Sequence, residues 1–135
     1  MTDRNTRIAR GSARILVIDD DDEVRETMRN ILRSACFETT TARNGEEGLR
    51  LFDAVGADAV VTDLIMPGME GIETIRELRR RRAGVKIVAI SGGGRSGVAD
   101  YLALAAKLGA DATLSKPFSR DKLLAALADL RAGES

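Results

Sequence analysis

The amino-acid sequence predicts an α/β fold in which a parallel β-sheet is covered by helices on both faces. The first observation is five short runs of strand-forming residues, each ending at a polar residue. The second is that a segment with helical spacing of apolar residues follows each run. The third is that short connections separate these segments, as expected for right-handed strand–helix–strand units. The 135 residues fit a single domain of this kind.

The strands are expected at residues 15–18, 37–42, 59–63, 85–90 and 112–115. The first run is entirely apolar, which favours a central strand buried on both faces. The second is rich in threonine, which favours a more exposed strand. The apolar positions expected to face the core are Val24, Met28, Ile31, Leu32 and Ala35 in the first helix, Leu49, Phe52 and Val55 in the second, Ile72, Ile75 and Leu78 in the third, Val98, Leu102, Ala105 and Leu108 in the fourth, and Leu123, Leu124, Leu127 and Leu130 in the fifth.

Helix ends are also marked in the sequence. Asn44, with Glu47 three residues later, resembles a capping box, and Ser119 can cap the last helix. Gly56 suits the end of the second helix. The four arginines at residues 79–82 are expected to be a solvated end of the third helix, where cations complement the helix dipole.

Composition excludes several classes of function. Lys plus Arg and Asp plus Glu number 21 each, so no net charge attracts nucleic acid or an anionic membrane. No histidine is present, which excludes histidine acid–base catalysis and histidine metal ligands. A bound metal would therefore be a hard cation on oxygen ligands, Mg²⁺ or Mn²⁺.

The remaining compositional features predict a cytoplasmic protein. The chain has neither a membrane-spanning apolar run nor the apolar core of a signal peptide. A single cysteine, Cys36, excludes an internal disulfide and is expected to be a buried, inert thiol. Residues 1–13 are expected to form a mobile tail, and residues 14–132 the folded domain.

Chemically useful side chains follow four of the predicted strands. In an open parallel sheet the carboxyl ends of the strands share one rim, which here would gather Asp19, Asp20, Asp63, Ser91 and Lys116. Three carboxylates repel one another unless a cation lies between them, and Mg²⁺ binds carboxylates together with phosphate oxygens. Lysine and serine donors suit a phosphoryl group, and a carboxylate can itself form an aspartyl-phosphate. The rim is therefore a candidate site for phosphoryl transfer.

The motifs at these strand ends resemble those of the receiver domain of two-component response regulators. They are Ile15-Leu-Val-Ile-Asp-Asp20, Val60-Val-Thr-Asp-Leu-Ile-Met-Pro-Gly-Met-Glu-Gly71, Val88-Ala-Ile-Ser91 and Ser115-Lys-Pro-Phe118. The resemblance extends from residue 14 to about residue 131. It implies a flavodoxin-like (βα)5 fold, a doubly wound parallel sheet with strand order 2-1-3-4-5.

The resemblance also implies a set of metal ligands. Asp20 would bind Mg²⁺ directly, and Asp19 would hold it mainly through water. Asp63 and the backbone carbonyl of Ile65 would complete the ligands that the protein supplies.

The resemblance assigns phosphoryl chemistry to three side chains. Asp63 would accept a phosphoryl group from phosphohistidine on a histidine kinase or a histidine phosphotransfer protein. Lys116 would pair with Asp63 and then with the phosphoryl group, and the Lys116–Pro117 bond would be cis. Ser91 would be the switch hydroxyl that moves towards the phosphoryl oxygen. Apart from its own phosphorylation and dephosphorylation, such a domain is not expected to be an enzyme.

Two departures from the family pattern affect how the signal would leave the site. Thr113 stands where an aromatic residue is usual, three positions before the lysine. The segment Gly92-Gly-Gly-Arg-Ser-Gly97 forms a glycine-rich loop of a kind that occurs in stand-alone receivers.

No effector domain follows, so the chain is expected to be a stand-alone receiver. It would signal by binding a target protein or by onward phosphotransfer, without direct contact to nucleic acid or membrane.

Two other functions remain open at this stage. A haloacid-dehalogenase-like Mg²⁺ phosphatase also uses an aspartate nucleophile, and Asp19-Asp-Asp21 offers its Asp-x-Asp pattern. That alternative leaves the motif around Asp63 without a role and lacks the usual cap insertion. A receiver-like scaffold that is never phosphorylated is the other alternative, against which the intact acidic pair, Asp63 and Lys116 argue.

Overall fold

The structure, a computed structural model, describes residues 13–64, 70–92, 103 and 105–128. Its elements in chain order are β1 (Arg14–Ile18), α1 (Asp22–Ser34), β2 (Glu38–Ala42), α2 (Gly45–Val55), β3 (Ala59–Asp63), α3 (Glu70–Arg81), β4 (Lys86–Gly92), α4 (helical at residues 103 and 105–108), β5 (Ala112–Lys116) and α5 (Arg120–Ala126). None of the helices described here is long and apolar enough to cross a membrane. The expectations for residues 1–12, for Ile65, for residues 93–102 and for Leu130 lie outside the described residues.

The five strands form one parallel sheet in the order β2-β1-β3-β4-β5. The predicted flavodoxin-like order is therefore confirmed. The central strand is β3, and its last residue, Asp63, pairs in register with Ile90 of β4. Because all strands run in the same direction, their carboxyl ends meet at one edge of the sheet.

Two apolar clusters cover the two faces of this sheet. Alternate residues of β1 belong to opposite clusters: Leu16 and Ile18 pack with α2 and α3, and Ile15 and Val17 pack with α1 and α5. This alternation is the period of two that a strand imposes on its side chains. Full burial of each such side chain contributes roughly 1.5–3 kcal/mol. Helices therefore cover both faces, as predicted.

Three helices begin at residues whose side chains accept hydrogen bonds from backbone N–H groups. Asn44 Oδ1 accepts from Glu47 N at 2.8 Å, and Ser119 Oγ accepts from Lys122 N at 3.1 Å, so both predicted caps are confirmed. Asp21 caps α1 by accepting from two N–H groups of its first turn. Such caps typically contribute about 1 kcal/mol each. One of the four consecutive aspartates thus has a structural role.

One expectation about helix α2 and one about strand β4 are wrong. Val55 was expected to face inward but is 47% exposed, because it is the last residue of α2 and Leu51 packs against the cluster beneath that helix. The fourth strand was expected at residues 85–90, ending at Ser91, but β4 spans Lys86–Gly92, and Gly92 pairs in register with Lys116 of β5. Pairing with a neighbouring strand overrides the weak strand propensity of glycine.

Arg80, Arg81 and Arg82 at the end of α3 are exposed, as expected of a solvated helix end, whereas Arg79 makes specific contacts within the fold. Arg79 Nη1 donates to the carbonyls of Ala83 and Val85 at 2.6 and 2.7 Å. Its Nη2 lies 3.0 Å from Asp111 Oδ2, in the turn before β5. Arg79 therefore joins the end of α3 to the starts of β4 and β5, at the edge of the sheet away from the acidic residues.

Helix α1 ends in a Schellman motif that contains Cys36. The N–H groups of Phe37 and Cys36 donate to the carbonyls of Leu32 and Arg33, both at 3.0 Å. This motif requires a positive φ, and Cys36 has a φ of 72° at a position that is usually glycine. Cys36 is exposed, so the expectation of a buried thiol is wrong. Instead, Phe37 is buried, in the apolar cluster that also contains Leu32.

We expect Cys36→Gly to raise the free energy of unfolding by about 0.5–1 kcal/mol. Glycine relieves a left-handed backbone conformation that costs other residues roughly 1–2 kcal/mol, and part of this gain is offset by chain entropy. Urea denaturation would measure the change. Cys36→Ala is the control, because alanine keeps the Cβ and should leave stability nearly unchanged. A glycine variant less stable than the alanine variant would contradict the strain at this residue.

Helix α3 packs directly on the end of β3 at Gly71. A Cβ at this position would lie 2.5 Å from Leu64 Cα and 2.6 Å from the carbonyl oxygens of Asp63 and Leu64. These are main-chain atoms, which cannot rotate out of the way. The absence of a side chain at Gly71 therefore allows α3 to approach the strand end that carries Asp63.

We expect Gly71→Ala to lower the free energy of unfolding by about 1–3 kcal/mol, the usual cost of overpacking. This loss should exceed the gain of up to about 1 kcal/mol that alanine brings to a helix. Gly84→Ala is the matched control, because a Cβ at Gly84 would meet no heavy atom within 4 Å. Equal stabilities of the two variants in chemical denaturation would show that the close approach does not require glycine.

Candidate functional site

Three carboxylates meet at the carboxyl edge of the sheet. Asp19 immediately follows β1, and Asp63 is the last residue of β3, the neighbouring strand. Asp19 is 0% exposed, Asp63 is 4% exposed, and Asp20 is exposed. Each offers one oxygen, and these three oxygens lie within 4.8 Å of one another. The predicted acidic cluster is therefore present in the structure.

Backbone and side-chain contacts fix the position of Asp19. Its N–H donates to the carbonyl of Ala42 at 3.2 Å, and its own carbonyl accepts from Arg25 Nη1 at 2.8 Å. Asp19 Oδ1 accepts from the N–H of Asp21 at 2.9 Å. The other oxygen, Oδ2, consequently faces the acidic cluster.

Lys116 joins the cluster from the end of β5. Its Nζ lies 3.2 Å from Asp63 Oδ2, with the geometry of a hydrogen bond, and 3.0 Å from Asp19 Oδ2. The second contact is an ion pair whose angles do not fit a hydrogen bond. Asp19 Oδ2 therefore accepts no hydrogen bond from the described residues. The Lys116–Pro117 bond is cis, as the family resemblance implied.

The neighbouring carboxylates favour the charged form of Lys116. Burial by itself would lower the pKa of the ammonium group, because it disfavours the charged form. The close contact and charge of Asp19, followed by those of Asp63, outweigh burial and raise the pKa above its usual value. Lys116 is therefore a cation at neutral pH.

Ser91 lies at the same edge, on β4 between β3 and β5. It is 0% exposed, and its Oγ has no hydrogen-bond partner in the part of the chain that the structure describes. In register it follows Ile90, the partner of Asp63, and precedes Gly92, the partner of Lys116. A buried hydroxyl without a partner costs about 1–3 kcal/mol. Such a group is suited to an additional ligand at this edge.

Thr113 takes the place on β5 where the family usually has an aromatic side chain. It pairs in register with Ala89, two residues before Ser91, and its side chain is exposed. Beyond Gly92, the glycine-rich loop lies outside the described residues. The strand position where the family usually has an aromatic side chain is thus occupied by an exposed threonine.

The residues present fit a hard divalent cation. The three clustered carboxylates provide only oxygen donors, and Asp19 Oδ2 is buried without a hydrogen bond among the described residues. The ammonium of Lys116 offsets only part of their charge. Mg²⁺ prefers such oxygen ligands. The proposed ligand at Ile65 lies outside the described residues.

Two residues that shape this site received no role from the sequence. Gly71 permits the contact between α3 and the end of β3, and Arg25 binds the Asp19 carbonyl. A signal for Arg25 was available, because it lies three residues after Asp22 on one helix face and forms an ion pair with it. Gly71 ends the motif that resembles that of receiver domains, but nothing in the local sequence indicates its close approach to main-chain atoms.

Comparison with known proteins identifies a family that covers most of the chain. The family model for the response regulator receiver domain matches residues 15–128. The response regulator MprA of Mycolicibacterium vanbaalenii is 38% identical over 112 residues, which cover 83% of this chain and 47% of that protein. The sensory transduction protein RegX3 of Mycobacterium tuberculosis is 33% identical over 120 residues, which cover 88% of this chain and 51% of that protein. The chain thus spans about half the length of these curated relatives.

Solved structures of receiver domains have the same fold. The crystal structure of a response regulator receiver domain protein from Clostridium thermocellum superposes with a TM-score of 0.80 at 31% sequence identity. The alignment covers 90% of this chain and 96% of that one. From the family match, the shared fold and the acidic cluster together, we conclude that the chain belongs to the receiver domain family of two-component response regulators.

Proposed function

We propose that Asp63 of this receiver accepts a phosphoryl group from phosphohistidine on a histidine kinase or a histidine phosphotransfer protein. The phosphorylated domain then signals by binding a target protein or by passing the phosphoryl group on. The chemistry of the chain is limited to gaining and losing this group.

The position of Asp63 carries the proposal. Its carboxylate lies at the end of the central strand, 3.2 Å from the Lys116 ammonium and next to the carboxylates of Asp19 and Asp20. Its burial, at 4% exposed, keeps bulk water away from most of the side chain. A carboxylate placed between a cation-binding cluster and a lysine is suited to attack phosphorus.

The transfer step exchanges one bond to phosphorus for another. A carboxylate oxygen of Asp63 forms a bond to the phosphorus atom as the bond from phosphorus to the donor's imidazole nitrogen breaks. The electron pair of the broken bond remains on that nitrogen. The product is an acyl phosphate on Asp63 and a free histidine on the donor.

Lys116 and Ser91 have complementary roles in this proposal. The raised pKa of Lys116 keeps its ammonium charged, and the group exchanges its contact with Asp63 for contacts with phosphoryl oxygens. The buried Ser91 hydroxyl, which lacks a partner among the described residues, donates to another phosphoryl oxygen. Ser91 thereby couples occupancy of the site to the end of β4.

Asp19, Asp20 and Asp63 would hold Mg²⁺, together with the carbonyl of Ile65. Bound there, the metal would neutralise negative charge on the phosphoryl oxygens. Asp20, which is exposed, is assigned direct contact, and the buried Asp19 contact mainly through water. Asp19 also keeps Lys116 in place, since the ammonium lies 3.0 Å from its Oδ2.

The surface beside the site supports a protein as the donor. A cleft of about 490 Å³ opens next to Lys116, between α1 and the segment that follows β5. Its lining includes apolar side chains from both sides: Val24, Met28, Ile31, Pro117 and Phe118. Apolar surface next to a charged site suits contact with another protein.

We expect Asp63→Asn to reduce labelling by radioactive acetyl phosphate in the presence of Mg²⁺ by at least about a hundredfold, because the nucleophile is lost. Asp53→Asn is the control, because Asp53 is an exposed aspartate of α2 that pairs with Arg81 at the end of α3. This control should be labelled at the wild-type rate.

Other outcomes of this labelling experiment would identify the alternatives. Labelling that persists in Asp63→Asn but disappears in Asp19→Asn would favour the haloacid-dehalogenase-like mechanism. A wild-type protein that remains unlabelled by acetyl phosphate and by a panel of phosphorylated kinases would favour the scaffold. Neither alternative explains the ion pair between Asp63 and Lys116.

We expect Asp20→Asn to weaken Mg²⁺ binding by roughly tenfold or more, and Asp19→Asn to weaken it less, because Asp20 is the direct ligand. Isothermal titration calorimetry would measure both affinities. Asp21→Asn is the control, since asparagine caps a helix as well as aspartate and Asp21 is not part of the cluster. Equal affinities of the Asp19 and Asp20 variants would contradict the assignment.

A further inference from the structure

Arg25 is a largely buried cation next to the acidic cluster, and the proposed phosphoryl transfer makes no use of it. Its side chain is 14% exposed. Nη1 donates to the carbonyl of Asp19 at 2.8 Å, and Nη2 donates to the carboxylate of Asp22. These two contacts join the end of β1 to the first turn of α1. Asp20 lies in the short segment that they enclose.

We propose that Arg25 is a positioning residue, which holds the Asp20 carboxylate where it can bind a divalent cation. This inference rests on the proposed function, because it concerns the same Mg²⁺ site. Arg25 acts through the main chain of the loop at residues 19–22 and does not itself contact the metal.

The contact with Asp19 determines how the chain enters this loop. The Asp19 carbonyl belongs to the planar peptide unit that also contains the N–H of Asp20. A hydrogen bond to that carbonyl therefore sets the direction in which Asp20 leaves the strand. Asp21 is fixed as the cap of α1, and Arg25 holds Asp22 from the same helix. The main chain is thus restrained on both sides of Asp20.

Such a restraint is needed because the carboxylates repel one another. Asp20 is exposed, so its side chain is free to rotate towards water and away from the negative charges of Asp19 and Asp63. A fixed backbone keeps its Cβ directed at the cluster before the cation arrives. Outer contacts of this kind commonly change metal affinity by about 10–100-fold.

A positioning role and a purely electrostatic role predict opposite effects of removing Arg25. A positive charge beside an acidic cluster opposes cation binding, so its removal should tighten Mg²⁺ binding if charge alone matters. Loss of the loop restraint should instead weaken binding. The sign of the change therefore distinguishes the two roles.

The test compares Arg25→Met with Arg29→Met by Mg²⁺ titration, followed through the NMR shifts of the loop amides. Arg29 lies one turn further along α1, pairs with Glu26 and contacts Thr41, so its variant removes the same charge without touching the loop. We expect the dissociation constant for Mg²⁺ to rise roughly tenfold in Arg25→Met and to stay unchanged or fall in Arg29→Met. At saturating Mg²⁺, labelling of Asp63 in Arg25→Met should recover to within about twofold of wild type.

Each other result would overturn the inference. Wild-type or tighter Mg²⁺ binding in Arg25→Met would show that Arg25 does not position the loop, while leaving the proposed function intact. Labelling that stays low at saturating Mg²⁺ would place the defect outside metal binding. A wild-type protein that binds no Mg²⁺ would overturn the proposed function together with this inference.

Arg25→Lys keeps the test decisive if Arg25→Met does not fold at the assay temperature. Lysine retains the charge but lacks the planar fork that reaches two acceptors at once. We expect the dissociation constant for Mg²⁺ to be about threefold higher than in Arg29→Lys. Full wild-type affinity in Arg25→Lys would contradict the two-point contact.

Discussion

Three strands of the sheet end close together, and one ammonium group joins their ends. Lys116, at the end of β5, contacts Asp19 beyond β1 and Asp63 at the end of β3. Both carboxylates are almost fully buried, and a buried carboxylate without a compensating partner costs several kcal/mol. Removal of the ammonium would leave two such groups side by side. The lysine is thus required for the arrangement of the strand ends as well as for the proposed chemistry.

The site could be predicted from the sequence because topology, more than local detail, brings its residues together. Lys116 and Asp63 lie 53 positions apart in the chain, yet any parallel sheet places strand ends at one edge. Helical periodicity located the helices, and the caps at Asn44 and Ser119 followed from residue type alone. The roles within the site came from family resemblance, since position at the rim alone could not distinguish the role of Asp19 from that of Asp20.

The features that could not be predicted depend on contacts between distant parts of the chain. The positive φ of Cys36 results from a turn that buries Phe37, and residue type gave no sign of it. The need for glycine at Gly71 arises from main-chain atoms of another element. Whether the side chain of Val55 is buried or exposed depended on where the core beneath α2 ends. Local patterns carry no information about such packing, which is settled only when the elements meet.

The acidic character of this rim has a consequence for the donor in the proposed phosphoryl transfer. The loop at residues 19–22, Glu23 and Asp63 supply six carboxylates, whereas Lys116 and Arg25 are the cations that contact them among the described residues, although the whole chain has no net charge. Donors of phosphoryl groups are themselves anions, so the rim repels a small free donor before a metal ion is bound. A donor carried on a protein overcomes this repulsion through contacts made elsewhere on the surface. In the proposed phosphoryl transfer, the aspartates would therefore disfavour free metabolite phosphates relative to a donor that docks on the surface.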